Sequence, residues 1–256
     1  SRQWASMPDV QEVLVHTGQH FDDNMSELFF REMSIPQPKY NLGVNNLENA
    51  DMTALMMERL EPVLQQEKPD FVVVFGDTNS TLAGAKAAKN LCIKLAHVES
   101  GLRSFNMEMP EEHNRKETDR LSDVLFCPTQ TAVENLQKEN IDNQRNKIIL
   151  SGDVMYDAAL FYAASARKPQ LDLAGVFLLA SVHRAENTNH PEALLSIFAA
   201  LEILAQERQL VLPLHPRTRA KLAELNYDFD HSNITFIAPV GYFEMLYLLQ
   251  YCQLVL

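Results

Sequence analysis

Short β-branched runs alternate with longer stretches of helical periodicity along nearly the whole chain, and that alternation leaves few folds open. The runs are Glu12 to His16, Phe71 to Phe75, Ile93 to Val98, Val124 to Cys127 and Lys147 to Leu150, each followed by a helix-like segment. Between Leu47 and Gln66, the side chains Met52, Leu55, Met56, Leu60 and Leu64 fall on one stripe of a 3.6-residue period. Lys68-Pro69-Asp70 stops that helix and opens the next strand. Phe71-Val72-Val73-Val74-Phe75 has no polar position, which predicts a strand covered by helices on both faces. The pattern as a whole predicts an α/β fold with parallel strands and right-handed crossovers in a doubly wound sheet.

The alternation pauses between Tyr156 and Asp172, where a helix gives way to polar Arg167-Lys168-Pro169-Gln170. It then restarts with strand Val176 to Val182, helix His190 to Arg208, strand Leu210 to Leu214 and helix Pro216 to Leu225. Strand Ile234 to Ala238, helix Tyr242 to Tyr251 and strand Leu254 to Leu256 complete it. With 256 residues there is enough chain for two cores. Two Rossmann-like domains are therefore expected, 1–170 and 171–256, with a ligand cleft at their strand C-terminal edges. Only Ser1 to Gln11 precede the first strand, and Leu256 ends the chain inside an apolar run. A chain truncated at both ends, part of a longer protein, is the expectation.

Charge and cysteine usage narrow the functions. A net charge of −12 argues against a broad nucleic-acid or anionic-membrane surface, which would need clustered Lys and Arg. A small anionic ligand held by a few Arg, His and backbone N–H groups stays open. Cys92, Cys127 and Cys252 lie far apart in apolar runs, so buried free thiols are expected rather than a metal or redox site. No apolar run approaches the roughly 20 residues of a membrane span, and the N-terminus does not read as a signal peptide. A cytoplasmic protein is expected.

The polar residues gather where strands end. His97-Val98-Glu99-Ser100-Gly101-Leu102-Arg103 and Met109-Pro110-Glu111-Glu112-His113-Asn114-Arg115 place three carboxylates, two histidines and two arginines in one connection. Such density points to acid/base chemistry, with a solvated loop as the competing reading. Gly76-Asp77-Thr78-Asn79-Ser80 follows the preceding strand, and Asp77 reads equally as a helix N-cap or as a second carboxylate aimed where Glu99 points. Carboxylates that share a site raise one another's pKa and so can yield an acid and a base near neutrality. Glu111 and Glu112 follow Pro110 and also fit the first turn of a helix. His16-Thr17-Gly18-Gln19-His20-Phe21-Asp22 ends the first strand, with Gln19 and His20 as candidate ligand contacts. In the second half, Ser181-Val182-His183-Arg184-Ala185-Glu186-Asn187-Thr188 and Leu212-Pro213-Leu214-His215-Pro216-Arg217-Thr218 bring His and Arg to strand ends, a donor set suited to phosphate.

Taken in order, these motifs and Ser151-Gly152-Asp153-Val154-Met155-Tyr156-Asp157 resemble those of bacterial non-hydrolysing UDP-N-acetylglucosamine 2-epimerases over nearly the whole chain. The resemblance implies a glycosyltransferase-B-like pair of domains and interconversion of UDP-GlcNAc with UDP-ManNAc, by elimination of UDP to 2-acetamidoglucal and re-addition. It implies no redox cofactor and no metal, a UDP-sugar as substrate and also as an activator, and a homodimer. Asp77, Glu99 and Glu111 match the family's catalytic carboxylates, and His183 the residue that holds the diphosphate. Gln19, His20, Arg115, Arg184, Glu186, Asn187, His215, Arg217 and Met245 fall at or near its ligand-binding positions; Met245 stands where an aromatic is commoner. The family's N-terminal Gly-x-Arg-Pro turn and C-terminal Thr-Asp-Ser-Gly-Gly turn are absent, so the chain alone is expected to bind UDP poorly and to be inactive. A UDP-2,3-diacetamido-glucuronate 2-epimerase, a hydrolysing epimerase, a glycosyltransferase of the same fold and an inactive UDP-sugar-binding fragment are the alternatives.

Overall fold

A computed structural model describes residues 1–19, 27–142, 146–173 and 175–256. The chain forms two compact units, one of Ser1–Phe30 with Ser34–Ala158 and one of Arg31–Met33 with Ala159–Leu256. Both are α/β with parallel strands.

The first unit runs through α1 (Arg2–Ala5), β1 (Val15–His16), α2 (Glu27–Glu32, which ends in the second unit), β2 (Tyr40–Asn41) and α3 (Asn49–Glu67). It continues through β3 (Phe71–Phe75), α4 (Asn79–Asn90), β4 (Lys94–Val98), α5 (Pro110–Leu121), β5 (Val124–Cys127), α6 (Gln130–Lys138), β6 (Lys147–Leu150) and the start of α7 (Val154–Tyr162). The main sheet has the order β3-β4-β5-β6, all parallel. Of the expected strand Glu12 to His16 only β1 forms, paired with β2, which the pattern does not predict. One helical face is dense: Met52, Met56, Leu60 and Leu64 of α3 meet Ala83 and Ala87 of α4, and Ala85 and Ala88 cover Val74 and Leu95. Gly84 permits the close approach, since a Cβ there would sit 2.8 Å from Val74 Cγ1.

The other face differs from expectation. Phe71 and Phe75 are 44% and 56% exposed, and with Val73, Val98 and Phe126 they line an open apolar depression of about 480 Å³. Alternation explains it: Val72 and Val74 turn to the helices, so Phe71, Val73 and Phe75 turn away. Being apolar throughout did not require this strand to be covered on both sides. Cys92 is a second correction. It is exposed, in a left-handed turn (φ 55°) before β4, whereas Cys127 is buried and Cys252 half-buried.

The second unit takes in the end of α7 and a 3-10 turn at Ala163–Ser165. It comprises β7 (Phe177–Leu179), α8 (Ala185–Thr188), α9 (Pro191–Glu207), β8 (Gln209–Pro213), α10 (Pro216–Glu224), β9 (Thr235–Ile237), α11 (Tyr242–Tyr251) and β10 (Leu254–Val255). Here both sheet faces are packed. Leu178 and Ala180 join Leu194, Phe198 and Leu201 of α9 and Leu222 of α10; Phe177 and Leu179 join Val211 and Leu248 on the opposite side. The strand order is β10-β7-β8-β9, so the chain reverses its direction of winding beside β7. Among the described residues no helix is long and apolar enough to cross a membrane.

Candidate active site

Gly76 turns the chain at the end of β3 with a positive φ of 65°, and its N–H donates to the Val98 carbonyl at 3.1 Å. Thr78, not Asp77, is the N-cap of α4. Its hydroxyl accepts the Thr81 N–H at 3.4 Å, and the Thr78 N–H donates back to Thr81 Oγ1 at 3.2 Å. That reciprocal cap satisfies two helix-end groups and leaves the Asp77 carboxylate free to pair with the Arg115 guanidinium. Asn114 Nδ2 fixes the backbone by donating to the Asp77 carbonyl at 3.0 Å.

One strand over, β4 pairs Val98 with Phe75, so Glu99 emerges beside the Gly76–Asp77 turn. Glu99 is half-buried and left-handed (φ 73°), an uncommon conformation for a residue with a Cβ. Two N–H groups hold the bend, since Glu99 and Ser100 both donate to the Phe126 carbonyl, at 3.1 and 3.0 Å. A Cβ built on Gly76 would lie 3.9 Å from Glu99 Oε2, which puts that carboxylate over the turn carrying Asp77. Burial, and then the charges of Asp77 and Asp153, push the Glu99 carboxyl above its ordinary value; His97 and Arg115 pull the other way.

Helix α5 braces the loop between. Its sequence has almost no apolar stripe, and what it buries is polar: Glu112, Asn114, Thr118 and Asp119. Glu112 is fully buried and accepts from the Ser104 N–H, the Ser104 hydroxyl and Arg115, each at 2.9 Å. Those donors outweigh burial and hold its carboxyl below the usual range. Asp77, Arg115, Glu112 and Ser104 thus form one chain of contacts. Glu111, on the first turn of α5, is exposed and stands outside that chain.

Gln19 caps: its Oε1 accepts from the Ser80 N–H (3.1 Å) and hydroxyl (2.8 Å) at the start of α4. Gly18 before it is obligatory, because at φ 95° a Cβ would approach the Val44 nitrogen to 2.6 Å. His20 and Asp22 lie outside the described residues.

In the second unit, His183 and Arg184 are exposed just past β7, where the order of winding reverses; such switch points are the ligand crevices of open α/β sheets. Ser181 Oγ lies 3.1 Å from His183 Nδ1. His215 caps α10, its Nδ1 accepting the Arg217 N–H at 3.1 Å, and its ring is 6.2 Å from that of His183. Burial first, then His183 and Arg217, lower the pKa of His215. Arg217 reaches Asn189 at 2.7 Å, and the Asn187 N–H closes the α8 turn on the Arg184 carbonyl at 3.1 Å. Glu186 lies in α8, which follows that edge. Met245 is part of the hydrophobic packing around Phe177 and Leu248.

Sequence reasoning did not single out Asp153, Asp119 or Glu32. Asp153 caps α7 through the Met155 N–H (2.8 Å) and contributes to the field at Glu99. Asp119 is buried against His97 and Arg103. Glu32 caps α11 through the Tyr242 N–H at 2.9 Å. A signal for Asp119 existed: Glu112, Arg115 and Asp119 recur at helical spacing on a helix too polar to bury anything else.

A parallel α/β fold with carboxylates gathered at strand C-terminal ends, one of them held above its ordinary pKa by burial, is an arrangement suited to acid/base chemistry. The family model described as UDP-N-acetylglucosamine 2-epimerase matches residues 2–256, and the chain belongs to that family of isomerases. It is 51% identical over 250 residues to a UDP-2,3-diacetamido-2,3-dideoxy-D-glucuronate 2-epimerase of Pseudomonas aeruginosa, covering 96% of this chain and 70% of that protein. It is 42% identical over 258 residues to the UDP-N-acetylglucosamine 2-epimerase of Methanocaldococcus jannaschii, covering 95% and 69%. The crystal structure of the Methanocaldococcus jannaschii enzyme in complex with UDP-GlcNAc and UDP superimposes with a TM-score of 0.89 at 36% identity, over 99% of this chain and 72% of that one. The Neisseria meningitidis enzyme bound to UDP-GlcNAc gives 0.86 at 27% identity, over 99% and 71%.

Proposed function

We propose that the protein interconverts UDP-GlcNAc and UDP-ManNAc. The observation that carries this is the placing of Asp77 and Glu99 at adjacent strand ends in a chain whose residues 2–256 match the epimerase family. The C2 hydrogen of the sugar is not next to a carbonyl and is a weak acid. Elimination answers that difficulty: the C1–O bond breaks, UDP leaves with the bonding pair, and a base takes the C2 proton to give 2-acetamidoglucal. Re-addition of UDP at C1 and return of a proton to the opposite face of C2 complete the inversion. Asp77, Glu99 and Glu111 manage the C2 proton and the positive charge developing at C1. A carboxyl raised by burial and like charge, as Glu99 is, suits both taking and returning a proton. His183, supported by Arg184, His215 and Arg217, holds the diphosphate; the switch point beside β7 favours this reading.

A second reading is favoured by the 51% identity to the Pseudomonas aeruginosa protein: the same chemistry on UDP-2,3-diacetamido-2,3-dideoxy-D-glucuronate. One experiment separates the two. Each UDP-sugar is incubated with the protein in heavy water and followed by NMR. Reversible formation of the C2 epimer with deuterium at C2 identifies the substrate. Accumulation of free UDP and free sugar would instead mark a hydrolysing enzyme, and no exchange with either would sink the proposal. A homodimer, and a second UDP-GlcNAc acting as activator, rest on the resemblance alone. Sedimentation and the shape of the velocity curve test the dimer and the activator.

A further inference from the structure

The carboxylates stand on a buried charge network that the chemistry above does not use. His97 is fully buried in β4, flanked along the sheet by the apolar residues Val74 and Leu125. Its Nε2 lies 2.8 Å from the Gly76 carbonyl, which can only accept, so that nitrogen carries a hydrogen. Its Nδ1 lies 2.7 Å from Asp119 Oδ1. The other oxygen of Asp119 accepts from Arg103 at 2.8 Å and from the Gly101 N–H at 3.2 Å. Arg103 is itself buried and donates twice more to Glu139, at 2.9 Å each. His97, Asp119, Arg103 and Glu139 thus form one continuous row of contacts, and Lys116 joins it at Glu139 Oε1, 3.1 Å away. Glu99, just past the end of the same strand, is a further charged group within electrostatic reach of the ring.

The contacts fall at informative places. Gly76 immediately precedes Asp77, and Gly101 follows Glu99 by two residues. Both glycines have positive φ, 65° and 78°, and a Cβ on Gly101 would meet the Ala132 carbonyl oxygen at 2.4 Å. One ring and one carboxylate therefore clamp the two turns from which Asp77 and Glu99 project.

We propose that His97 and Asp119 are positioning residues for Asp77 and Glu99, with the Nε2 hydrogen of His97 held on the Gly76 carbonyl. The kinetic part rests on the epimerase reading; the hydrogen-bond part does not. NMR of protein labelled with 15N-histidine, with the His97 signals identified by their loss in a folded His97→Gln protein, tests the second. A hydrogen on Nε2 protected from exchange with solvent is expected, and a bare Nε2 overturns the proposal. Kinetics test the first. His97→Ala should lower kcat by roughly 100-fold, the loss that follows an ångström of misplacement, with KM and UDP affinity little changed. His97→Gln, which can still donate toward Gly76, should recover part of that loss. Equal kcat in wild type and a folded His97→Ala protein overturns the positioning role. If wild type epimerises neither UDP-sugar, the functional reading fails and the NMR result still decides the pair.

Discussion

The two units bring polar residues to their strand ends in opposite ways. In the first, the loop side chains are buried and paired: Glu112 with Ser104 and Arg115, Asp119 with His97 and Arg103, Asp77 with Arg115. In the second, His183 and Arg184 are exposed, and Arg217 reaches out to a surface asparagine. The first arrangement fixes geometry before any ligand arrives, which suits groups that must meet a reacting atom. The second leaves donors in water, ready to exchange hydration for phosphate oxygens. Preorganisation thus belongs with the carboxylates and adaptability with the cations.

That contrast can be broken at graded cost. Glu99→Gln should show the largest effect, a fall in kcat on the order of 10⁴-fold, the upper range for a lost acid/base group; stopped assays with UDP-GlcNAc measure it. The same variant should melt no lower than wild type at pH 7. The raised pKa of Glu99 means that the folded state binds the extra proton, so ionising it costs stability as pH rises from about 4.5 through the folded value. Arg103→Ala comes next: it strands Asp119 and Glu139 without their shared cation and should lower unfolding free energy by about 4 kcal/mol, read by urea titration. His183→Ala should weaken UDP binding roughly 10- to 100-fold in calorimetry, as expected for a hydrogen bond to a charged group, while the melting temperature of this exposed site holds. Thr78→Ala, which removes the cap of α4, should cost about 1 kcal/mol. The smallest effect is from His215. Its lowered pKa makes the unfolded chain the better proton acceptor just below pH 6.5, so stability should decline as pH falls through that range and His215→Asn should flatten the decline. If His183→Ala destabilised the fold as Arg103→Ala does, the contrast between the units would be lost.

Much of this was legible in residues, and the failures have causes. Strand–helix alternation located every strand of both main sheets, because apolar period and turn residues act locally. The β1–β2 pair was half missed because two-residue strands carry no period. The exposed Phe71 and Phe75 were misjudged because an unbroken apolar run says nothing about which face is covered. Asp77 could not be separated from a capping role until Thr78 was seen to close the cap with Thr81. Asp119 escaped because a buried carboxylate looks in sequence like a surface one; only its partners in distant segments, His97 and Arg103, give it meaning.

Cys92 has a practical side. Its exposed thiol sits at the entrance of β4, the strand whose far end bears Glu99, while Cys127 is sealed in the interior. A maleimide dye or spin label should therefore attach there preferentially, at a point separated from the carboxylates by the length of one strand. Such a reporter would let ligand arrival be followed optically without touching a residue that handles the proton.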